Sequence, residues 1–415
     1  MQKILLLIAS LFYFNFILAE NEIKSWQGIH ETPLSCLEQQ FAEPPVEFAN
    51  HVIWGWEGKM DKKTICNDLD SIKKKGFRAV IFEAGYKLPF KYLSEEWFKA
   101  IRTGVLEAKK RGMKVWIIDE GKYPSGFAGG KFSQERPDLR MQALVIGDTI
   151  QIKRGEVMTN HKIAPEIISA VAVSTSGAPN RTVAINNGEI SFNAGLDDWK
   201  ILLVKSDFRT AVTRAVNNPN GGKDATNSLC DYLNPVAVQQ FIDWTHEQYK
   251  KYLGKELGTT VLGFRGDEPD YAHLPWTPSI VQTFKDTKGY DPTPYLASFF
   301  TTSPTIQEQR VKADYWDVWS SLFATHFFKL QADWCAANGV AHITHLNKEH
   351  EMPACVKAEG DYFRNLSKVQ IPGVDAIWNQ IWPGTLNDFP KLASSVAHVY
   401  GKPRAFSESF AAYHI

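Results

Sequence analysis

The sequence carries no excess of charge of either sign. Lys plus Arg and Asp plus Glu number 46 each among 415 residues, so no global field gathers nucleic acid or an anionic membrane, and a neutral substrate fits better than a polyanion. Cysteine is scarce. Cys36, Cys66, Cys230, Cys335 and Cys355 are odd in number and lack CxxC or zinc-finger spacing, so no metal site is read from them. Cys66 and Cys335 fall in helical patterns that suit core packing, and a disulfide among the others is permitted by export but not indicated. Beyond residue 19 no apolar run approaches the length of a membrane helix. Residues 1–19 differ. Lys3 precedes an almost wholly apolar run from Ile4 to Leu18, and Ala19 stands before the polar Glu20-Asn21-Glu22, the layout of a secretory signal cleaved after Ala19. An uncleaved anchor is the alternative, but the run is short for a span, and no Cys follows it for lipid attachment. The expectation is a secreted or periplasmic protein with no membrane span after cleavage.

What is present is a large apolar fraction, 44%, enough for a sizeable core. After a lead segment (20–50), three strand-then-helix units follow one another. The strand His51 to Trp54 precedes a helix from about Asp61 to Lys75; Phe77 to Phe82 precedes a helix from Ser94 to Arg111; Met113 to Ile118 ends in Asp119-Glu120. Such units imply a parallel sheet with right-handed crossovers. From 141 to 226 the rhythm changes to alternating, β-branched segments between Gly, Asn and Asp turns, a small β-rich insertion. Asn234 and Pro235 then form an N-cap and first turn for a helix reaching Leu253. Further strands are expected at Val261 onward, at Val340 to Leu346, at Asp375 to Trp378 and at Arg404 to Phe406, with a long helix from about Gln307 to Asn338. The fold class is α/β, a (β/α)8 TIM-type barrel in two parts (51–140 and 227–415) that lacks its last strand and helices.

Acids stand at several of these strand ends: Glu83, Asp119, Glu120, Asp267, Glu268 and Glu408. In such a barrel the C-terminal strand ends hold the chemistry, although an acid at a strand end also serves as an ordinary helix cap. Glycoside hydrolysis needs two carboxyls, one to protonate the leaving oxygen and one to activate water or attack carbon, and Glu268 with Glu408 are the candidate pair. Asp119, Glu120 and Asp267 are candidates for substrate binding, metal ligation or capping. His342 and His345 are three apart on a strand, so only one can face the barrel mouth. His345 is taken as that one, a substrate-binding candidate. Among 13 Trp, Trp54, Trp56 and Trp378 are candidate sugar platforms, with core packing the competing fate of each. Two other readings stay open: a binding or vestigial barrel without turnover, and a metal-dependent hydrolase using His345 with Asp267.

Several runs resemble the α-L-rhamnosidases of glycoside hydrolase family 106. They are Trp54-Gly55-Trp56, Tyr92-Leu93-Ser94-Glu95-Glu96-Trp97, Tyr123-Pro124-Ser125-Gly126-Phe127-Ala128-Gly129-Gly130, Asp231-Tyr232-Leu233-Asn234-Pro235, Asp267-Glu268-Pro269 and Ser407-Glu408-Ser409-Phe410-Ala411-Ala412-Tyr413. The resemblance implies a (β/α)8 barrel with an inserted β domain, inverting hydrolysis of a terminal α-L-rhamnoside, and calcium assisting sugar binding. With it, Glu268 is expected as general acid and Glu408 as general base. Members of that family are longer, so the chain is expected to be an incomplete barrel.

Overall fold

The computed structural model describes residues 33–409 apart from 45, 47–49, 122, 210–212, 215–222, 225–227, 272–273, 378–379, 382–383 and 385–386. The expected signal at 1–19 and the candidate Trp378 lie outside the described residues.

Among the described residues seven parallel strands form one sheet: β1 (His51–Trp56), β2 (Ala79–Ala84), β3 (Lys114–Ile118), β4 (Val261–Asp267), β5 (Ala341–His345), β6 (Ile371–Ala376) and β7 (Phe406–Ser409). Their order in the sheet is their order in the chain, and each neighbouring pair is parallel. Among the described residues no pairing joins β7 to β1, yet the sheet curls. Arg265 of β4 reaches Glu408 of β7 and feels the charge of Glu83 on β2.

Strand alternation gives the curled sheet two chemically distinct faces. Outward, Trp56, Phe82, Val115, Ile117, Phe264 and Val340 pack on Ile65 and Leu69 of α1 (Lys62–Lys74) and on Trp97, Ile101 and Val105 of α2 (Glu95–Lys110). Both helices begin where the sequence places a cap. Thr64 N donates to Asp61 Oδ1 at 2.9 Å and Trp97 N to Ser94 Oγ at 3.3 Å, each cap contributing about 1 kcal/mol. Inward, Ile81, Trp116, Ile118, Leu262, Ala341, Ile343 and Ile371, with Phe406 against them, fill the floor of the curl. Two glycines make room for the large rings. A Cβ on Gly263 would stand 1.9 Å from Ala341 O and 2.7 Å from the Trp116 ring, and one on Gly373 would stand 2.2 Å from the Phe406 ring.

Some boundaries differ from expectation, for local reasons. The helix expected from Asn234 to Leu253 is two, α3 (Pro235–Trp244) and α4 (His246–Leu253). Thr245, whose Oγ1 donates back to Phe241 O at 2.7 Å, leaves helical geometry between them. The long helix expected from Gln307 runs as α5 (Ile306–Leu322), a π-helical turn (Phe323–Phe328) and α6 (Lys329–Ala337). Strand β6 begins four residues before its expected start and takes in Pro372 and Gly373, the glycine being required opposite Phe406. Strand β7 lies two to three residues later than expected. All five cysteines are free thiols.

The insertion folds as expected into β structure. Its larger sheet has the order Pro275–Trp276, Gln142–Ile152, Trp199–Phe208, Ile167–Ser174, Arg181–Thr182, and a smaller sheet joins Val157–Lys162, Glu189–Asn193 and Ile185–Asn186. Ile152, Ala172, Ile190, Phe192, Trp199 and Ile201 pack between them. The first strand of the larger sheet comes from outside the expected boundaries: Pro275 and Trp276, just beyond β4, pair antiparallel with Ala143 and Gln142.

Candidate active site

In β4 the register against β3 slips between Val261 and Gly263. A bulge of this kind shifts the alternation by one residue, and beyond it Phe264 joins the outer layer while Arg265 and Asp267 face inward. Asp267 is level with His345 of β5, Asp375 of β6 is level with Glu408 of β7, and Glu83 of β2 is level with Gly55. Inward residues from five strands thus meet at the C-terminal end of the sheet.

Arg265, 2% exposed, is their centre. Its Nη2 donates to Glu408 Oε2 and lies 2.9 Å from His345 Nε2 and 3.6 Å from Asp267 Oδ1. His345 Nε2 is also 3.2 Å from both Asp267 Oδ1 and Glu408 Oε2, and its Nδ1 is 3.1 Å from Leu346 O. Burial opposes charge on this imidazole, but Asp267 and Glu408 outweigh it and hold the pKa well above the ordinary value. With the ring protonated, Nδ1 donates to Leu346 O and Nε2 to the carboxylates. Burial would raise the pKa of Glu408, and Arg265 and His345 reverse that, leaving it below the usual carboxylate value.

Glu268 behaves oppositely. Its backbone takes φ +38°, a region that non-glycine residues rarely occupy and that is found where surrounding structure enforces it. One of its carboxyl oxygens, one of Asp375 and a ring nitrogen of His345 lie within 4.8 Å of one another, and Asp375 hydrogen-bonds Glu268. Burial first, then the charges of Asp267, Asp375 and Glu349, push the Glu268 pKa up to about 9 against the opposing effect of His345. Two carboxyls bordering one imidazole are therefore biased to opposite protonation states. Behind them Glu349, 1% exposed, accepts from Leu346 N at 2.9 Å and from Asp375 N at 3.3 Å, and burial pushes it up to about 7.

The loop carrying Glu268 is held by the runs that stand out in sequence. Ser125 N donates to Asp267 O at 2.9 Å, Asp267 N donates to Ser125 Oγ at 2.7 Å, and Ser125 Oγ donates to Asp119 Oδ1 at 2.7 Å. Gly126, at φ +96°, has the Tyr232 ring 2.5 Å from where a Cβ would be, and Tyr232 Oη donates to Ser125 O. On the far side of Glu268, buried Asp231 accepts from Thr277 Oγ1 at 2.7 Å and from Tyr271 Oη at 3.3 Å.

Of the residues singled out in sequence, Asp267, Glu268, His345 and Glu408 converge. His342, as the spacing required, faces outward and is buried, its ring kept neutral by burial with a pKa lowered to about 4. Trp54 and Trp56 are corrections. Both face the helical layer, where Trp56 is fully buried and the rings pack on each other and on Phe82, because alternation in β1 turns inward Gly55 rather than its neighbours. Glu120 is also turned away from the mouth. Its carboxylate accepts from the backbone N–H groups of Gly121, Ala128 and Gly129, so it shapes the Gly-rich turn. Asp119 acts one step removed, through Ser125. Sequence reading passed over Arg265, Asp375 and Glu349. The first two carried a signal, since Arg265 stands two before Asp267, on the same face, and Asp375 ends an apolar run; Glu349 lies in a loop without pattern.

Known proteins resemble the chain in sequence and in fold. A family model described as alpha-L-rhamnosidase matches residues 180–414. A protein of Formosa agariphila that carries the provisional name beta-glucuronidase is 24% identical over 90% of the chain, which spans 35% of that relative's length. The solved rhamnosidase of Novosphingobium sp. PP1Y superposes over 92% of the chain and 53% of its own, with a TM-score of 0.65 at 16% identity, a likeness of fold.

Proposed function

The chain belongs to the α-L-rhamnosidases of glycoside hydrolase family 106, and on that premise we propose that it hydrolyses terminal α-L-rhamnosides of poly- or oligosaccharides with inversion. The observation that carries the reading is the opposite bias of Glu268 and Glu408 beside His345. Glu268, holding its proton, donates it to the glycosidic oxygen as the bond to the anomeric carbon breaks. Glu408, held ionised, takes a proton from a water that attacks that carbon from the other face, and proton exchange with solvent resets both carboxyls. Asp267 and His345 border the same space and are assigned to sugar hydroxyls.

Calcium, expected by resemblance, does not fit the groupings of metal-type ligands at the mouth among the described residues. Both, Asp267–His345–Glu408 and Glu268–His345–Asp375, depend on an imidazole nitrogen, whereas calcium takes six to eight oxygens, and Arg265 Nη2 is already 2.9 Å from His345 Nε2. The layout of residues 1–19 supports export. Among the described residues no helix is long and apolar enough to cross a membrane.

The test is a panel of aryl glycosides that includes the α-L-rhamnoside and, because of the Formosa relative's name, the β-glucuronide, with the anomer first released identified by proton NMR. The reading requires turnover of the rhamnoside and release of the β-anomer. Turnover of the glucuronide alone, or release of the α-anomer, overturns it.

A further inference from the structure

Asp267 Oδ1, His345 Nε2 and Glu408 Oε2 all lie within 4.8 Å of one another, an arrangement of two carboxylates and an imidazole suited to a divalent metal. A single nitrogen of the protein already stands among these three atoms, bound by the carboxylates and neighboured by the imidazole. Arg265 Nη2 hydrogen-bonds Glu408 Oε2, is 2.9 Å from His345 Nε2 and is 3.6 Å from Asp267 Oδ1. The guanidinium comes from within β4, on a strand fixed on both sides by pairing to β3 and β5, and it is buried. It cannot swing aside into solvent as a surface arginine does, and it carries a charge at every pH at which the protein is folded.

We infer that Arg265 is the resident cation of this site, a positioning residue whose guanidinium pairs with the carboxylates of Glu408 and Asp267 at the place where these two and His345 would otherwise hold a divalent metal, so that the mouth works without a divalent metal there. The inference deepens the reading of Glu408 as the base and rests on it for its catalytic consequence. A metal at this point would be exchangeable and would share Glu408 with water or substrate. A guanidinium is permanent, and it holds Glu408 through Oε2. The groups that face Glu408 are Arg265 and His345 as cations and Asp267 and Asp375 as acids; removing Arg265 leaves the imidazole alone against them, and the base becomes harder to ionise.

The experiment compares the wild-type chain with Arg265→Met and Arg265→Lys, in chelator and in calcium or manganese chloride. Wild-type turnover of the aryl rhamnoside is expected to be unchanged by chelator, and calorimetric titration with either metal to give no binding that Glu408→Gln removes. Arg265→Met empties the centre of the grouping, so it is expected to gain manganese binding that Glu408→Gln then abolishes, and the acidic limb of its kcat/KM profile is expected to move up by about one pH unit or more. Arg265→Lys keeps a charge and is expected to gain no metal binding, which preserves the comparison if the methionine variant does not fold. Loss of wild-type activity in chelator, or wild-type metal binding that Glu408→Gln or Asp267→Asn removes, overturns the inference. If no variant hydrolyses any glycoside, the reading of Glu408 as a base fails, and the metal titrations still decide the role of Arg265.

Discussion

Replacing Asp375 by Asn should move the alkaline limit of activity, and the size of the effect follows from the position of Glu268. An ordinary glutamic acid with a pKa of 4.5 is about 0.3% protonated at pH 7, whereas one pushed up to about 9 is about 99% protonated, roughly a 300-fold gain in acid-competent enzyme. The charge of Asp375 contributes to that rise. Its removal makes ionisation of Glu268 easier, so the pKa falls and the limb moves toward acid, by about one unit if one near like charge is lost. A fall from about 9 to about 8 leaves most of the enzyme protonated at pH 7 and lowers activity at pH 9 roughly fivefold. The assay is kcat/KM from pH 4 to 10.5 on an aryl rhamnoside, because kcat/KM reports the free enzyme's essential groups. A wild-type limb near pH 5, or a limb that Asp375→Asn does not move, would refute the assignment of Glu268 as a buried acid.

Other outcomes follow from the same geometry. Glu268→Gln should cost far more on substrates with poor leaving groups than on activated aryl glycosides, while Glu408→Gln should depress both alike; equal losses for Glu268→Gln would remove it as the acid. Glu120 is raised by burial from 4.5 to about 7, so between those values the folded chain keeps a proton that the unfolded chain has lost. Its contribution to stability is complete below pH 4.5 and declines as pH rises to 7, by about 3 kcal/mol, and urea unfolding of Glu120→Gln should show a shallower loss over that window than the wild type. Gly263→Ala, with its new methyl 1.9 Å from a backbone oxygen, should destabilise by about 3 kcal/mol or more in the same assay. Mass spectrometry of exported protein should find the mature chain starting at Glu20.

Much of the fold was legible because its signals are local. Asp61 and Ser94 cap α1 and α2 where their spacing from the apolar stripe says they should, and the shift to period-two alternation at 141 marks the insertion. What sequence could not show was how a strand is rotated. A one-residue slip between Val261 and Gly263 decides that Arg265 and Asp267 face inward, and only the pairing with β3 reveals it. The same limitation misled the reading of Trp54 and Trp56: indoles at a strand end look available to a sugar, but parity turns them into the helical layer. Glu268, beside Asp267, and the isolated Glu408 were legible as acids at the ends of apolar strands. Arg265, the residue that binds the cluster together, shares a face with Asp267 by its spacing of two, but a basic side chain inside a strand does not announce what it will meet across the sheet. Its role exists only once β4 and β7 face each other across the curl.

The antiparallel pairing of Pro275–Trp276 with the start of the Gln142–Ile152 strand means that the inserted β domain is not a detachable accessory. Glu268 and Pro269 follow one anchorage, Asp267 in the parallel sheet, and Leu274 precedes another, the strand that pairs with the insertion, with Asp231 beyond the insertion tying Tyr271 and Thr277 from the side. Excising 141–226 would therefore remove the second of these anchorages, leaving the contacts of Ser125 and Asp231 to hold the segment. Shortening or lengthening of that insertion bears on the segment that follows Glu268, so a grafted or minimised version of this fold has to retain the 142–143 edge even if every distal loop of the insertion is discarded.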